Sequence, residues 1–529
     1  MSWLIIVNFL FVILFLLLLW VPMKRALHMF QQNRYERERY SAWLINNIKT
    51  QYKQNYIPFV LLIAIIIAGF FMEIGIYRIV MALIIVLWFI YLIVKELNQE
   101  YIKPLVFTDR VKRQLAVMTI LYLIMMIAMM QFRFEWESVM LFMCTYGVWF
   151  MVFVMDFITR PIEETVKKKF LNDAKHRLEG FNNMIKIGIT GSYGKTSSKN
   201  ILQAILSEKF YSLMTPASFN TPMGITRTIR EHLKPIHEVF ICEMGADHVG
   251  DIKELCDFVH PSIGLVTSIG PQHLNTFGSL ENIIKEKMTM IESLPQDGVG
   301  IINKDNEYIR NYKINNTCKL ISYGIAQSDV DYHATNIVYS PKGSTFVVVS
   351  KDGEHEFETR LLGEHNIANI CAAIAIAREL KVEWKELQQA VKKVQYVEHR
   401  LELKKINGYT FIDNAFNSNP VGSAMSLEVM KMMPNRRFII TPGMIDLGVQ
   451  QDEINKEFGR KMKDKVDEVI LVGVQQTKPI VEGLQEVEFD STHVHVCKTV
   501  KEAFALVYTL ATPTDTILLE NDLPDAFNN

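Results

Sequence analysis

The residues best able to do chemistry lie in the stretch MIKIGITGSYGKTSSKN, residues 184–200. Its centre, TGSYGKT, combines two glycines with a lysine and a hydroxyl. Gly191 and Gly194 let the backbone approach phosphate oxygens, and Lys195 can reach the terminal phosphates of a nucleotide. Thr196 can place its hydroxyl on Mg²⁺. The stretch therefore predicts a nucleotide phosphate loop.

Hydrophobic spacing places this loop between a strand and a helix. Before the loop, apolar residues alternate with the period of a strand: Ile185, Ile187 and Ile189. After the loop, they recur at helical spacing: Ile201, Leu202, Ile205 and Leu206. The N–H groups and dipole of such a helix N-terminus favour an anion. The common pattern GxxxxGK[ST] would need glycine where Ile189 stands, so this loop is a shorter variant.

Two more polar side chains follow apolar stretches that read as strands. Glu243 ends the stretch VFICE, and His273 follows the stretch GLVTSIG. Because ligands bind beyond the carboxyl ends of strands in an open parallel sheet, we expect both side chains to converge with the phosphate loop. Alone, Glu243 is also typical of a helix cap, and His273 of an ordinary loop. Together, after three strands, they predict a metal–phosphate cluster.

Before this α/β region, the chain is rich in long apolar runs. Five of them approach or reach the roughly 20 residues that a spanning helix needs. The runs cover residues 3–20, 58–76, 79–94, 115–131 and 139–158. A signal peptide is the alternative for the first run, but it lacks an early basic region and a small-residue cleavage site. We therefore predict an α-helical membrane domain with five transmembrane helices over 1–160.

The basic residues predict how these helices are oriented. Seven Lys or Arg lie in residues 24–57 and five in residues 95–114, whereas the two other turns carry one each. Since loops rich in Lys and Arg stay in the cytoplasm, we expect the N-terminus outside and everything after Arg160 in the cytoplasm. The charged linker at 161–183 is either a juxtamembrane helix near anionic headgroups or a solvated connection. This multi-pass arrangement predicts a location in the cell membrane.

Composition excludes several classes of function. The 529 residues carry a formal net charge of −1, so the chain as a whole has no electrostatic case for binding nucleic acid. Its six cysteines are far apart and form no CxxC pair. That spacing argues against a zinc site and against a disulfide framework, and it fits a reducing compartment.

Further motifs follow the phosphate loop in a recognisable order. They are SFNTPMGI (218–225), VFICEMGADHVGDI (239–252), GLVTSIGPQHLNTFGSLENIIKEK (264–287), LLGEHNIANICAA (361–373), EHRLE (398–402) and TFIDNAFNSNP (410–420). Over about residues 185–474, the chain resembles the Mur ligases, which make peptide bonds in bacterial cell-wall synthesis, and their relatives the folylpolyglutamate synthases. It most resembles the type that adds D-alanyl-D-alanine (MurF), through the EMGA, HLxxFGSL and DxxxNxNP signatures.

The resemblance implies ATP-dependent activation of a carboxylate. The carboxylate becomes an acyl phosphate, an amine attacks it, and ADP and phosphate leave. Lys195 and two Mg²⁺ would neutralise the transferred phosphate, with Thr196 and Glu243 holding one ion and His273 helping to hold the other. The resemblance also implies nucleotide-binding positions: Gly191, Ser192, Gly194, Lys195, Thr196, Ser197, Asn366, Asn369, Arg400 and Asp413. It places Asn220 and Thr221 near the acyl substrate.

One lysine has a special role in many of these ligases. It is carbamoylated and then supports the second metal ion as a carboxylate would. By its spacing after the histidine, that position is Lys287 here, with Lys285 as the fallback. The alternative for either residue is a solvated helix lysine. We therefore predict Lys195, Glu243, His273 and Lys287 as the catalytic set.

The hydrophobic pattern divides the rest of the chain in two. Residues 184–397 read as a central ATP-binding domain with a parallel sheet, in which 330–362 alternate as small antiparallel strands. Residues 398–529 read as a Rossmann-like α/β domain. Its strands are predicted near 409–413, 437–441, 468–472 and 516–519.

Three departures from the family pattern concern the substrates rather than ATP. Membrane runs stand where Mur ligases usually carry the domain that binds a uridine-diphosphate sugar. Gly443, preceded by Pro442, replaces an aspartate of the family, and the lysine-glycine-serine region that positions the incoming amine has no counterpart in the ending LLENDLPDAFNN. We hypothesise a membrane-anchored carboxylate–amine ligase whose acceptor is a lipid-linked cell-wall precursor or an anionic polymer. The amine donor would be an amino acid or a dipeptide.

Two other functions fit parts of the sequence. A P-loop ATPase could couple hydrolysis to transport or regulation through the membrane helices. Few ionisable residues lie inside those helices, chiefly Glu73 near an outer edge, so an ion pathway is not evident. A scaffold that binds nucleotide without ligase activity is the third possibility, favoured by Gly443 and opposed by the intact phosphate loop.

Overall fold

The computed structural model describes residues 2–53, 74–99, 101, 104–130, 136–272, 274–416, 419–445, 447 and 450–521. The chain forms two compact units, Met1–Lys168 and Lys169–Asn529. Most of the predicted run 58–76 lies outside the described residues, and so does His273. The other four predicted apolar runs fall within the described part of the chain.

Helices alone make up the described part of the first unit. They are α1 (Ser2–Gln32), α2 (Arg37–Lys53), α3 (Ile74–Leu97), α4 (Asp109–Met129), α5 (Trp136–Phe142), a π-helical turn (Met143–Gly147) and α6 (Val148–Glu179), whose last residues belong to the second unit. Four segments are long and apolar enough to cross a membrane, by length and composition: Ile6–Gln32, Ile76–Leu97, Asp109–Met129 and Val139–Glu179. These segments, found among the described residues, overlap the other four predicted runs but differ from them in their bounds.

Charged side chains in this unit are joined in pairs between helices. Arg25 of α1 donates to Glu96 of α3 at 2.8 Å, and Arg37 of α2 donates to Asp156 of α6. The carboxylates of both pairs are well shielded from solvent. Because an unpaired buried charge is costly, these pairs tie the polar ends of the helices to one another.

The first part of the second unit is built on a nine-stranded sheet. Its order is β2-β3-β1-β4-β5-β6-β7-β8-β9. The strands are β1 (Ile185–Thr190), β2 (Ser212–Met214), β3 (Val239–Glu243), β4 (Ile263–Val266), β5 (Val299–Asn303), β6 (Lys319–Gly324), β7 (Tyr332–Ser340), β8 (Gly343–Ser350) and β9 (Gly353–Thr359). Strands β1 to β6 pair in parallel, and β7 to β9 form the antiparallel extension that the alternation at 330–362 predicts.

Helices connect and cover these strands. They are α7 (Lys195–Leu206), α8 (Pro222–His232), α9 (Asp251–Val259), α10 (Leu274–Phe277), α11 (Leu280–Glu292), α12 (Glu307–Arg310), α13 (Glu364–Glu379) and α14 (Trp384–Lys393). The central strands are buried along most of their length, as expected for a parallel sheet with both faces covered. Their carboxyl ends therefore form the accessible edge at which polar side chains collect.

A six-stranded sheet forms the last part of the chain. Its order is β10-β11-β15-β12-β13-β14, with only β10 antiparallel. The strands are β10 (Glu402–Ile406), β11 (Tyr409–Asn414), β12 (Arg437–Thr441), β13 (Glu468–Val472), β14 (Val494–Cys497) and β15 (Thr516–Glu520). The helices are α15 (Pro420–Lys431), α16 (Gln451–Lys461), α17 (Lys478–Glu486), a 3₁₀ turn (Ser491–His493) and α18 (Val500–Leu510). The four predicted strands are all present, and the predicted fold class is confirmed.

Helices α16 and α17 pack with almost no space between their backbones. A Cβ atom on Gly483 would lie 1.9 Å from the carbonyl oxygen of Lys456. We expect Gly483→Ala to lower the unfolding free energy by about 2–3 kcal/mol, because two backbones must separate to admit the methyl group. Thermal unfolding of the purified protein measures this effect.

The matched control for this change is Gly422→Ala in α15. A Cβ atom there would meet the side-chain amide nitrogen of Asn419 at 3.1 Å, so a shift of about a few tenths of an ångström in this capping side chain admits the methyl group. Equal melting temperatures for the two variants would contradict the account of the α16–α17 contact.

Candidate active site

The phosphate loop follows β1 and leads directly into α7. Gly191 has φ +147° and Gly194 has φ +83°, values that L side chains rarely adopt. A Cβ atom on Gly191 would lie 2.1 Å from the Oγ1 atom of Thr267, which follows β4. Ser192 hydrogen-bonds Gly270 through its hydroxyl, so the loop is fixed against the segment after β4. This backbone therefore needs glycine at both positions, as the sequence predicts for a phosphate cradle.

Lys195 folds back over the loop that precedes it. Its Nζ donates to the carbonyl oxygen of Gly191 at 2.6 Å and to that of Ser192 at 3.1 Å. Burial lowers the pKa of Lys195 to about 8, with the charge of Glu243 opposing the shift and that of Arg400 adding to it. An anion placed in the loop would favour the protonated form of this lysine, because an opposite charge stabilises the ammonium.

Glu243 is the centre of a buried polar cluster at the ends of β1 and β3. Its carboxylate accepts from the Thr196 hydroxyl at 3.1 Å and from the Asn220 amide at 3.2 Å. The Nζ atom of Lys199 lies 3.0 Å from the other carboxylate oxygen. The Glu243 side chain is 1 % exposed and that of Lys199 is fully buried. The convergence predicted for Thr196 and Glu243 is thus seen in the structure.

Lys199 is a member of this cluster that the sequence reasoning missed. It stands four residues after Lys195, so both lie on one face of α7. Besides Glu243, it donates to the carbonyl oxygen of Ala217. Burial lowers the pKa of Lys199, and the neighbouring carboxylate opposes that shift. The i, i+4 spacing in KTSSK was the available signal, but only the fold reveals its partner.

Arg400 reaches this cluster from the segment before β10. Its Nη2 donates to the Thr196 hydroxyl at 3.3 Å, and its guanidinium lies over the ring of Phe416 at 4.7 Å. The neighbouring His399 is held by the carboxylate of Asp413 at 2.8 Å. Asp413 also accepts from Lys404 at 2.8 Å. Asp413, one of the predicted nucleotide-binding positions, thus supports the turn that carries Arg400.

The predicted asparagines of α13 lie beside the phosphate loop. Asn369 accepts from the hydroxyl of Ser198 at 2.9 Å, and a Cβ atom on Gly194 would meet its side-chain oxygen at 3.2 Å. The Nδ2 atom of Asn369 has no acceptor among the described residues. Asn366 donates to the carbonyl oxygen of Leu362 at 2.8 Å. The roles of both residues towards the nucleotide stay predictions.

His365, next to Asn366, is buried close to the same site. Burial lowers its pKa to about 4, and the positive charge of Arg400 lowers it further. The imidazole is therefore neutral at physiological pH and adds no charge near Arg400. Ser197, another predicted position, is buried in the first turn of α7.

The predicted substrate residues differ in their surroundings. Asn220 lies against Glu243, as described above, and its carbonyl oxygen accepts from Gly245 at 2.8 Å. Thr221 caps α8 by accepting from the backbone N–H of Gly224. Asn220 is therefore part of the buried polar cluster around Glu243, whereas Thr221 has a helix-capping contact. Their roles towards an acyl substrate stay predictions.

The backbone conformation after β12 explains why glycine, and not the aspartate of the family pattern, stands at position 443. The φ of Gly443 is +82°, and a Cβ atom there would lie 2.8 Å from the side-chain oxygen of Asn455. Asn455 donates to and accepts from the backbone of Met444, so it cannot move away freely. An aspartate at this position would be strained in this chain.

The two lysines considered for carbamoylation differ clearly in their burial and in the direction of their pKa shifts. Lys287 of α11 is 2 % exposed, and its Nζ donates to the carbonyl oxygen of Ala246 at 3.0 Å. Burial, and then the charge of Lys195, lowers the pKa of Lys287 to about 7. Lys285 is exposed, and its ion pair with Glu281 raises its pKa. Only Lys287 has an amine that is substantially neutral near pH 7, which is the form that reacts with CO₂.

Three more polar residues lie near Lys287. Asp247, His248 and Asp251 place side-chain ligand atoms within 4.8 Å of one another at the start of α9. Both aspartates lie close enough to Lys287 to influence it electrostatically. They belong to the motif that begins with EMGA, but their convergence could not be inferred from its spacing.

The donor set fits a nucleotide with a divalent cation. Thr196 and Glu243 offer the hard oxygen ligands that Mg²⁺ prefers. Lys195, Lys199 and Arg400 surround a single carboxylate, so the site carries surplus positive charge for phosphates. The helix N-terminus of α7 adds unpaired backbone N–H groups at the same place.

Comparison with known proteins agrees with this geometry. Residues 189–377 match the Mur ligase middle domain, and residues 399–520 match the Mur ligase, glutamate ligase domain. The chain is 28 % identical over 292 residues to UDP-N-acetylmuramoyl-tripeptide–D-alanyl-D-alanine ligase of Escherichia coli. That alignment covers 55 % of this chain and 64 % of the relative, so the chain spans less than two thirds of the relative's length.

Solved structures share the fold. MurF from Acinetobacter baumannii superposes with a TM-score of 0.60 at 24 % identity, covering 67 % of this chain and 77 % of that one. MurF ligase from Thermotoga maritima in complex with ADP superposes with a TM-score of 0.60 at 22 % identity, covering 67 % and 80 %.

The Lys199–Glu243 pair gives a first test of the site. We expect Lys199→Met to destabilise the protein by about 3–5 kcal/mol, because it leaves a buried carboxylate without its partner charge. It should also weaken the thermal stabilisation by Mg²⁺-ATP. Lys209→Met is the control, since Lys209 is exposed and its ammonium donates to the carbonyl oxygen of Lys381. Two equally stable variants would refute the importance of the pair.

The lowered pKa of Lys287 gives a second test. The unfolded chain keeps this lysine protonated up to about pH 10, whereas the folded chain releases the proton near pH 7. Since the unfolded state then binds more protons, the stability of the wild type relative to Lys287→Met should rise between these pH values, by on the order of 2–4 kcal/mol. Chemical denaturation of both proteins across that range, without nucleotide, measures the difference. A difference that stays constant or falls would contradict the burial of a neutral amine.

Proposed function

Because this chain belongs to the Mur ligase family through its middle and C-terminal domains, we propose that it is an ATP-dependent carboxylate–amine ligase. We propose further that it is anchored in the bacterial cell membrane and acts in cell-wall or envelope polymer synthesis. The observation that supports this proposal most directly is that Lys195, Thr196 and Glu243 lie close to Arg400. Phosphate loop, metal ligand and a cation from the second domain thus meet at one point.

The proposed reaction has two steps, formation of an acyl phosphate and its attack by an amine. A carboxylate oxygen of the acceptor attacks the γ-phosphorus of ATP, and the bond to the ADP oxygen breaks. The amine nitrogen of the donor then attacks the acyl carbon, loses a proton, and expels phosphate as the amide forms. Bound Mg²⁺, for which we propose two ions, would supply charge neutralisation on the phosphates.

This chain's own residues position and neutralise the reacting groups. Lys195 exchanges its loop carbonyl contacts for phosphate oxygens, and Arg400 adds a second positive charge beside Thr196. Glu243 holds the Thr196 hydroxyl where it can ligate a metal ion. We assign His273 and carbamoylated Lys287 to the second ion. The neutral amine of Lys287 supports that assignment, and the mass of one CO₂ on the purified protein would establish it.

The first unit supports the membrane part of the proposal. Four apolar helices of spanning length precede the catalytic region, and a fifth is proposed at 58–76. With the N-terminus outside, the catalytic domains lie in the cytoplasm, where ATP is available. A lipid-linked cell-wall precursor is the acceptor we favour, because the lipid itself would hold the substrate at the surface. An amino acid or a dipeptide such as D-alanyl-D-alanine is the proposed donor.

ATP turnover by the full chain in detergent tests this function. Membrane lipid extract and a pool of amino acids and D-amino dipeptides are added separately and together. We expect ADP and phosphate only when both are present, and on the order of a hundredfold less with Lys195→Ala, which removes a charge from the transferred phosphate.

Other outcomes of the same experiment would favour the competing functions. Turnover that ignores both additions would indicate an ATPase coupled to the membrane helices. Nucleotide binding without turnover under any addition would indicate a scaffold. Full turnover on a soluble uridine-diphosphate muramyl peptide, with none on lipid-linked material, would refute the lipid-linked acceptor.

A further inference from the structure

A group of polar side chains lies in the first unit, and several of its buried atoms have no hydrogen-bond partner among the described residues. We call it the basic cluster, and it consists of Arg37, Arg110, Arg113 and Gln114. Arg37 begins α2, and the other three lie in the first two turns of α4. On α4, Arg110 and Gln114 are four residues apart and share one helix face.

Two carboxylates of α6 bring these residues together. Arg37 pairs with Asp156, and Arg113 forms two hydrogen bonds with Glu163, at 2.8 and 2.7 Å. Arg110 is within electrostatic reach of both carboxylates. The cluster therefore joins the N-terminal ends of α2 and α4 to the middle of α6.

Several atoms of the basic cluster are buried without a hydrogen-bond partner. Gln114 is 0 % exposed, and neither its amide nitrogen nor its amide oxygen has a partner among the described residues. The same holds, within the described part of the chain, for Nε of Arg110 and Nη2 of Arg37. Since buried polar groups are nearly always satisfied, the three donors and one acceptor on these residues indicate a site for a polar ligand.

Charge and chemistry define that ligand. The Asp109 carboxylate, which also acts on an arginine of the cluster, is paired with Lys112. The three guanidinium groups then face two further carboxylates, which leaves one positive charge in excess. The Arg110 guanidinium is held 3.9 Å from the centre of the Tyr35 ring, so it is fixed in place. A phosphate group satisfies several donors and the excess charge at once, and a hydroxyl on the same ligand can donate to the amide oxygen of Gln114.

We propose that the basic cluster binds the phosphate of a lipid headgroup in the cytoplasmic leaflet. The cluster lies at the predicted cytoplasmic ends of spanning helices, and α4 continues from Gln114 into apolar sequence. Basic pockets between helices at this level are suited to anionic headgroups. The inference rests on the proposed membrane location of these helices but not on the ligase chemistry.

Native mass spectrometry of the full chain tests the proposal. The protein is first exchanged into phosphatidylcholine and then titrated with phosphatidylglycerol, which carries both phosphate and hydroxyls, or with inorganic phosphate. We expect one phosphatidylglycerol to be retained in preference to phosphatidylcholine, and excess inorganic phosphate not to displace it. Gln114→Leu and Arg110→Gln should each lower that retention about tenfold.

The matched control is Arg160→Gln. Arg160 is an exposed arginine of α6 that pairs with Glu164 on its own helix, and its replacement should leave retention unchanged. Equal retention by Gln114→Leu, Arg110→Gln and wild type would overturn the site. Binding of inorganic phosphate with no preference for phosphatidylglycerol would overturn the lipid as its ligand.

Two further measurements distinguish loss of the lipid site from misfolding of the variant, and failure of the lipid proposal from failure of the ligase proposal. Gln114→Leu keeps the side-chain volume and removes unsatisfied atoms, so its lipid-free melting temperature should not fall below that of wild type. ATP turnover on the same samples reports the second unit independently. Lost retention with intact turnover supports the site, whereas intact retention without turnover would refute only the ligase proposal.

Discussion

The buried carboxylate of Glu243 is the constraint on which the active site depends. An ionised carboxylate that is 1 % exposed is stable only if it is paired and hydrogen-bonded. Lys199 supplies the charge, and Thr196 and Asn220 supply the hydrogen bonds. Because these partners come from α7 and from the loop before α8, the carboxylate fixes the phosphate loop against the neighbouring strand. The same hydroxyl that satisfies Glu243 is the one that can ligate a metal ion.

A second consequence follows from the surplus of cations around this carboxylate. Burial lowers the pKa of Lys195 to about 8, and the positive charge of the nearby Arg400 adds to this shift. Arg400 comes from beyond the central domain and bonds Thr196, so the two domains meet at the phosphate loop. Binding of a polyphosphate would relieve the repulsion between these cations. A bound nucleotide would therefore act on the contact between the two domains through these same few side chains.

Sequence reasoning predicted the elements better than the contacts between them. Continuous apolar strands and the glycine loop have strong local signals, so the parallel sheet, its antiparallel extension and four strands of the last sheet were predicted correctly. The contacts Ser198–Asn369 and Thr196–Arg400 join residues 171 and 204 positions apart, and no local pattern encodes them. Lys199 was missed because its partner, Glu243, lies on β3 and is brought beside it only by the fold. Asp413 was predicted to bind the nucleotide and Asn220 to lie near the acyl substrate, and both roles stay predictions, since the observed partners of both residues are neighbouring side chains.

The central claim is that the carboxylate of an acceptor, and not water, attacks ATP. Turnover in ¹⁸O-labelled water, with lipid extract and the amine pool present, tests it most directly. A ligase transfers an oxygen from the acceptor carboxylate, so the released phosphate should carry no label from water. One labelled oxygen in each phosphate would mean that water is the nucleophile, and it would contradict the account in favour of an ATPase.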